Sequence, residues 1–99
     1  VAALGSGASV EGNLISGNTT YGVLLYQAEG NTIAGNRIGS DISGTTAIGN
    51  FNGVQVRESY FNTIGTNGDG VGDTLEGNLI SGNSNHGIEM FGVGTTDNT

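Results

Sequence analysis

The chain has no cysteine, no proline, no tryptophan and no lysine, and only two arginines. Each absence excludes something. Without cysteine no disulfide can staple the fold. Two arginines against nine Asp and Glu leave a formal net charge of -7. Such a surface repels nucleic acid and anionic membrane, and it lacks the cationic cluster that an acidic-polysaccharide binder presents. No apolar run approaches the ~18 residues that a bilayer span requires. No signal peptide is recognisable, as in a mature segment. Apolar residues make up 34% of the chain, where a compact globule carries about 45–50%.

What is present is glycine, 20 residues of it. Glycine costs about 1 kcal/mol at each interior helix position, which excludes a long helix. Two possibilities remain: disorder, or a fold that turns every few residues.

Internal repeats decide between them. Residues 11–18 and 76–83 carry the same eight residues, Glu-Gly-Asn-Leu-Ile-Ser-Gly-Asn. Gly22-Val23-Leu24-Leu25 recurs as Gly53-Val54-Gln55-Val56, and Asn31-Thr32-Ile33 as Asn62-Thr63-Ile64, both offset by 31 residues. The next glycine of the series, Gly87, follows 34 residues after Gly53. The pairs Val23/Leu25, Val54/Val56 and Ile88/Met90 alternate with strand periodicity. Each unit holds three short apolar runs punctuated by Gly-Asn. Runs so short cannot pair within one unit. Each must pair with its counterpart in the next, about 4.8 Å away.

The expected fold is all-β: a parallel β-helix (solenoid) of about three coils of ~33 residues with uncapped ends. Right-handedness follows from the crossover rule. The expected core is Ile15, Val23, Leu25, Ile33, Ile38, Val54, Val56, Ile64, Ile80, Ile88 and Met90. Alternation leaves open which of Leu14/Ile15 and of Leu79/Ile80 faces inward. Asn at the turns tolerates the left-handed conformation, and stacked copies such as Asn31 and Asn62, or Asn18, Asn50 and Asn83, can form amide ladders. Two insertions, near 40–50 and 66–76, project as loops.

Residues 1–99 are read as a single module, belonging to a longer array or stacking on itself. Counted through a junction of Thr99 with Val1, the spacing from Gly87 to Gly22 is again 34 residues, and the junction reads Asn98-Thr99-Val1, a further Asn-Thr-apolar strand. Val1, Asn98 and Thr99 are therefore candidates for end-to-end stacking between uncapped edges.

The motifs Asn-Leu-Ile-Ser-Gly-Asn, Gly-Val-x-Val and the run from Asn36 to Asn50 resemble the right-handed parallel β-helix repeats of large bacterial secreted and surface proteins. They are similar to the pectate-lyase-like superfamily. The resemblance implies an extracellular or cell-surface location and, in its enzymes, catalytic groups on loops and one outer face. No catalytic motif of those enzymes matches residue by residue. Lyase chemistry in similar folds uses a basic residue and calcium, and Arg57 beside Glu58 is the sole counterpart.

An outer-face stripe carries the binding alternative. With Val23 and Leu25 inside, Leu24 and Tyr26 point out. Stacking aligns Tyr26, Arg57 and Phe91 in one column and Leu24, Gln55 and Glu89 in the next. Such a face could hold a sugar or a neighbouring solenoid. Its ordinary reading is that flanking segments cover the rings. Glu58 and Glu89 form a thinkable glycosidase pair, against which stands the usual solvating role of outward charges. His86 has no nucleophile or carboxylate partner fixed by the pattern. Asp69, Asp73 and Glu76 are the candidate calcium ligands of an Asp/Gly-rich loop, whose ordinary reading is a solvated turn. Asp41 with Ser40, Ser43 and Thr45 is a weaker cation candidate of the same kind.

The expected function is structural, a solenoid module extending coil on coil, possible as a head-to-tail filament. It needs no cofactor unless calcium binds, and its partners are further copies or adjacent repeats. The alternative is a carbohydrate-binding β-helix, or one processing carbohydrate as a polysaccharide lyase or glycoside hydrolase, on the Tyr26/Arg57/Phe91 face. Nucleic acid and membrane insertion are excluded.

Overall fold

The computed structural model describes residue 7 and residues 9–99, with the backbone alone at Asp73. Nine short strands and one helical turn follow in order. They are β1 (Ser9–Glu11), β2 (Leu14–Ile15), β3 (Tyr21–Tyr26), β4 (Thr32–Ala34), β5 (Arg37–Ile38), β6 (Asn52–Arg57), β7 (Thr63–Ile64), α1 (Asp73–Glu76), β8 (Leu79–Ile80) and β9 (His86–Phe91). Every third strand pairs, in parallel. The three sheets have the orders β1-β4-β7, β2-β5-β8 and β3-β6-β9, so each coil places one strand in each sheet. The register is the one the repeats require: Val23 opposite Val54 opposite Ile88, and Ile33 opposite Ile64. This is a parallel β-helix of three coils. No helix among the described residues is long and apolar enough to cross a membrane.

Small aliphatics fill the interior in columns. Val23, Leu25, Ile33, Ile38, Val54 and Val56 are fully buried, and Ile15 nearly so. Leu14 and Leu79 are exposed, so Ile15 and Ile80 are the inward members of their pairs. Ile64 and Ile80 are only partly buried. Ile88 and Met90, expected inside, are 44% and 47% exposed. They occupy the Val54 and Val56 columns, but as the last rung, with no coil stacked upon them. Val10 is a core residue that the apolar pattern missed. Its strand, Ser-Val-Glu, has one apolar residue between two polar ones and no Asn-Thr signature.

Three asparagine ladders line the corners: Asn13–Asn36–Asn78, Asn18–Asn50–Asn83 and Asn31–Asn62–Asn98. The rule is the same at each rung. The Oδ1 of one Asn accepts from both the backbone N–H and the side-chain Nδ2 of its counterpart one coil earlier. Asn62 Oδ1 takes both donors of Asn31 at 2.9 Å, and Asn98 Oδ1 takes those of Asn62 at 3.1 and 3.0 Å. The Nδ2 also reaches back to a main-chain carbonyl of the earlier coil, as Asn36 does to Val10 and Asn62 to Ala28. Asn31, Asn36, Asn50 and Asn62 are at most 1% exposed, and these bonds are what makes burying four primary amides tolerable.

At the Asn31–Asn62–Asn98 corner the left-handed backbone belongs to the residue before the Asn rather than to the Asn itself. Gly30 (φ 68°), Phe61 (φ 55°) and Asp97 (φ 54°) precede Asn31, Asn62 and Asn98. Turning the chain one residue early leaves the amide free to point inward along the stack. The insertions are loops as expected, except that 73–76 closes as one helical turn.

Candidate functional site

Glycine stands second in the longest strand of each coil, and at Gly22 and Gly53 the next coil approaches closely. A Cβ on Gly22 would lie 2.6 Å from Gly53 O, and one on Gly53 would lie 2.5 Å from Gly87 O. The strands that follow project alternate residues outward, and the register Tyr26–Arg57–Phe91 stacks three of them. The Arg57 Cζ lies over the Tyr26 ring at 5.0 Å and over the Phe91 ring at 5.4 Å. The guanidinium is thus held between two π-faces, an arrangement worth about 0.5–1 kcal/mol per contact at an exposed site. Those faces are turned along the solenoid axis, toward Arg57.

In the neighbouring column, Leu24–Gln55–Glu89, the two polar members bond to each other. Gln55, 5% exposed, donates from Nε2 to Glu89 Oε1 at 2.7 Å. The other Glu89 oxygen lies 3.3 Å from His86 Nε2. Glu58 accepts from Gln27 Nε2 at 3.2 Å. The structure therefore brings together Tyr26, Arg57 and Phe91, and beside them Gln55 and Glu89. Glu58 and Glu89 are each engaged by an amide of an adjacent coil.

The Asp/Gly-rich loop is knit to itself. Asp69 Oδ1 accepts Val71 N–H at 2.7 Å and its Oδ2 accepts Asn67 Nδ2 at 3.1 Å, while Glu76 Oε2 accepts Asn67 N–H at 3.1 Å. The Asp73 side chain lies outside the described residues. Among the described residues no three His, Cys, Asp or Glu form a group that could hold a metal ion. Asp41 is likewise a turn anchor. Its Oδ1 accepts the Ser43 hydroxyl at 2.7 Å and the amides of Gly44, Thr45 and Thr46. Ser43 first, and these amides with it, hold the carboxyl below its ordinary range.

At the chain's later end, Asn98 completes the third ladder, and Thr99 exchanges main-chain bonds with Asn62 and Ile64. The Asn-Thr pair thus already forms a fourth rung on the first sheet within this chain. Val1 lies outside the described residues.

One feature escaped the sequence reading. Between the two insertions, over the β2-β5-β8 sheet, lies a groove of about 360 Å³ with Arg37 and Asn36 in its lining, together with Ser43, Thr74, Leu75 and Leu79. The available signal was register: Arg37 sits between Leu14 and Leu79 in the outward column.

Three parallel sheets in register, a stacked aliphatic interior and continuous amide ladders define a parallel β-helix. The family described as "Periplasmic copper-binding protein (NosD)" matches residues 3–68, and the chain belongs to this family of right-handed parallel β-helix proteins. No curated protein and no solved structure matches the chain. The family description places its members outside the cytoplasm and names no catalytic activity.

Proposed function

We propose that the chain is a structural module of a β-solenoid working outside the cytoplasm at the cell surface, one that accepts further coils on its β8–β9 edge. The carrying observation is Gly87. Gly22 and Gly53 must be glycine because the next coil's carbonyl fills the Cβ position, whereas a Cβ on Gly87 would meet only Ile80 Cγ2 at 3.5 Å, an ordinary contact. Glycine at 87 has a steric reason only with another coil in place. Exposed Ile88 and Met90, and the ladder donors of Asn78 and Asn83, support the same reading.

Gly87→Ala separates the possibilities. It leaves the fold and melting of the isolated chain unchanged, while abolishing any concentration-dependent fibres with a ~4.8 Å meridional spacing. A chain that stays monomeric at high concentration refutes self-stacking. Fibres that persist in Gly87→Ala refute this edge as the place.

The alternative use, glycan binding on Tyr26, Arg57 and Phe91, is supported only by the exposure of the rings. Their faces turn toward Arg57, which leaves edges on the flank and favours the structural reading. A soluble monomer whose glycan affinity falls in Tyr26→Ala and Phe91→Ala would reverse that preference.

A further inference from the structure

We infer that the coils of this chain do not bind the copper named in its family's description. Copper(I) is held by thiolates and thioethers, and copper(II) by imidazoles with other nitrogen or oxygen donors. The chain has no cysteine, one histidine and one methionine. Both lie on β9, at His86 and Met90, four positions apart. At about 3.3 Å per residue that is roughly 13 Å along the strand. A single imidazole and a single thioether at that backbone spacing fall short of the donor set that either copper ion takes.

The neighbours of His86 do not make up the difference. Glu89, 3.3 Å from its Nε2, is bound through its other oxygen by the Gln55 amide. No third His, Asp or Glu joins them among the described residues.

The family match points the same way. Residues 3–68 contain no His, no Met and no Cys. What the match detects is the coil repeat of turn glycines, ladder asparagines and stacked aliphatics. Membership is carried by the scaffold, and the scaffold brings no soft donor with it. The inference holds whether or not the coils extend by stacking, so it can fail without the structural reading failing.

The test uses the whole chain. Copper(I) is offered under reductant in competition with bicinchoninate, and copper(II) in competition with millimolar glycine, with melting followed in parallel. The expected result is no withdrawal of copper(I) from the probe, no copper(II) bound against glycine and no change in Tm. His86→Ala should then be indistinguishable from the parent. One equivalent of either ion taken up, or a copper-dependent rise in Tm, would overturn the inference. Loss of that uptake in His86→Ala would locate the overlooked donor on β9, and its survival would locate it elsewhere.

Discussion

The amide ladders run one way, and that direction has a measurable consequence. Asn13 and Asn78 stand at opposite ends of one ladder. Among the described residues, the side chain of Asn13 only donates, from Nδ2 to Glu11 O at 3.0 Å and to Asn36 Oδ1 at 3.3 Å. Asn36 Oδ1 keeps a second donor in the Asn13 N–H at 2.8 Å. Asn13→Ala therefore strands no buried group and should cost about 0.5–1 kcal/mol. Asn78 is the acceptor for Asn36, whose N–H and Nδ2 reach its Oδ1 at 3.0 and 3.1 Å, and it donates to Ile33 O at 2.8 Å. Asn78→Ala leaves the buried Asn36 amide without that partner. At about 1–3 kcal/mol for a stranded buried donor, plus about 1 kcal/mol for the bond to Ile33, the expected loss is about 2–4 kcal/mol. Asn36→Ala, losing both sets, should cost at least as much. In urea, with a slope of about 1–3 kcal/mol/M, Asn78→Ala shifts the midpoint by about 1 M or more and Asn13→Ala by a few tenths. Equal midpoints for the two end variants would refute the directional account.

Other outcomes follow from the same geometry. Gly53→Ala places a Cβ 2.5 Å from the Gly87 carbonyl and should destabilise by about 1–3 kcal/mol or more, read by urea denaturation, whereas Gly87→Ala should be neutral. Asp41 has a folded pKa below its ordinary value of 3.8, chiefly through the Ser43 hydroxyl. Its contribution is present above the unfolded pKa and is lost as pH falls through the lower folded value, so Asp41→Asn should flatten the acid limb of a stability–pH curve below about pH 4. Tyr60 has a folded pKa above 10.0, raised first by its hydrogen bond to Glu29. Its contribution is intact below 10 and fades as pH rises through the higher folded value, and Glu29→Gln should lower the phenol's titration midpoint in ultraviolet absorbance.

The architecture was legible because a solenoid writes its contacts into its period. Along β3-β6-β9 and β4-β7, residues 31–34 apart touch, so the alignment of Gly22 with Gly53 and of Asn31 with Asn62 already is that part of the contact map. Leu14 instead meets Arg37 (37 − 14 = 23), with neither insertion between them, and Arg37 meets Leu79 (79 − 37 = 42), with both insertions between them. Two things were not legible. β1 carries a single apolar residue, Val10, and no Asn-Thr signature, so the apolar pattern did not place it in the core. Ile88 and Met90 match the core pattern, but the pattern of a strand does not report whether a next coil covers it. The outer column was legible to the level of stacking, because register alone puts Arg57 between Tyr26 and Phe91. The groove at Arg37 was not, because its walls are insertions whose path no repeat determines.

The demands of the interior also explain why the outer surface says so little about chemistry. Adding a coil requires glycine at 87 itself, small aliphatics over Ile88 and Met90, and Asn oxygens opposite the donors of Asn78 and Asn83. Every one of these groups faces inward or lies at a corner. Nothing in that list constrains the residues that point to solvent or the length of the loops leaving the corners. The same sheet therefore carries Leu14, Arg37 and Leu79 in one outward column, and the two insertions attach without disturbing the register of the strands on either side. A family likeness detected through the coil transmits the scaffold, and any chemistry must be argued from the outward residues that this chain itself possesses.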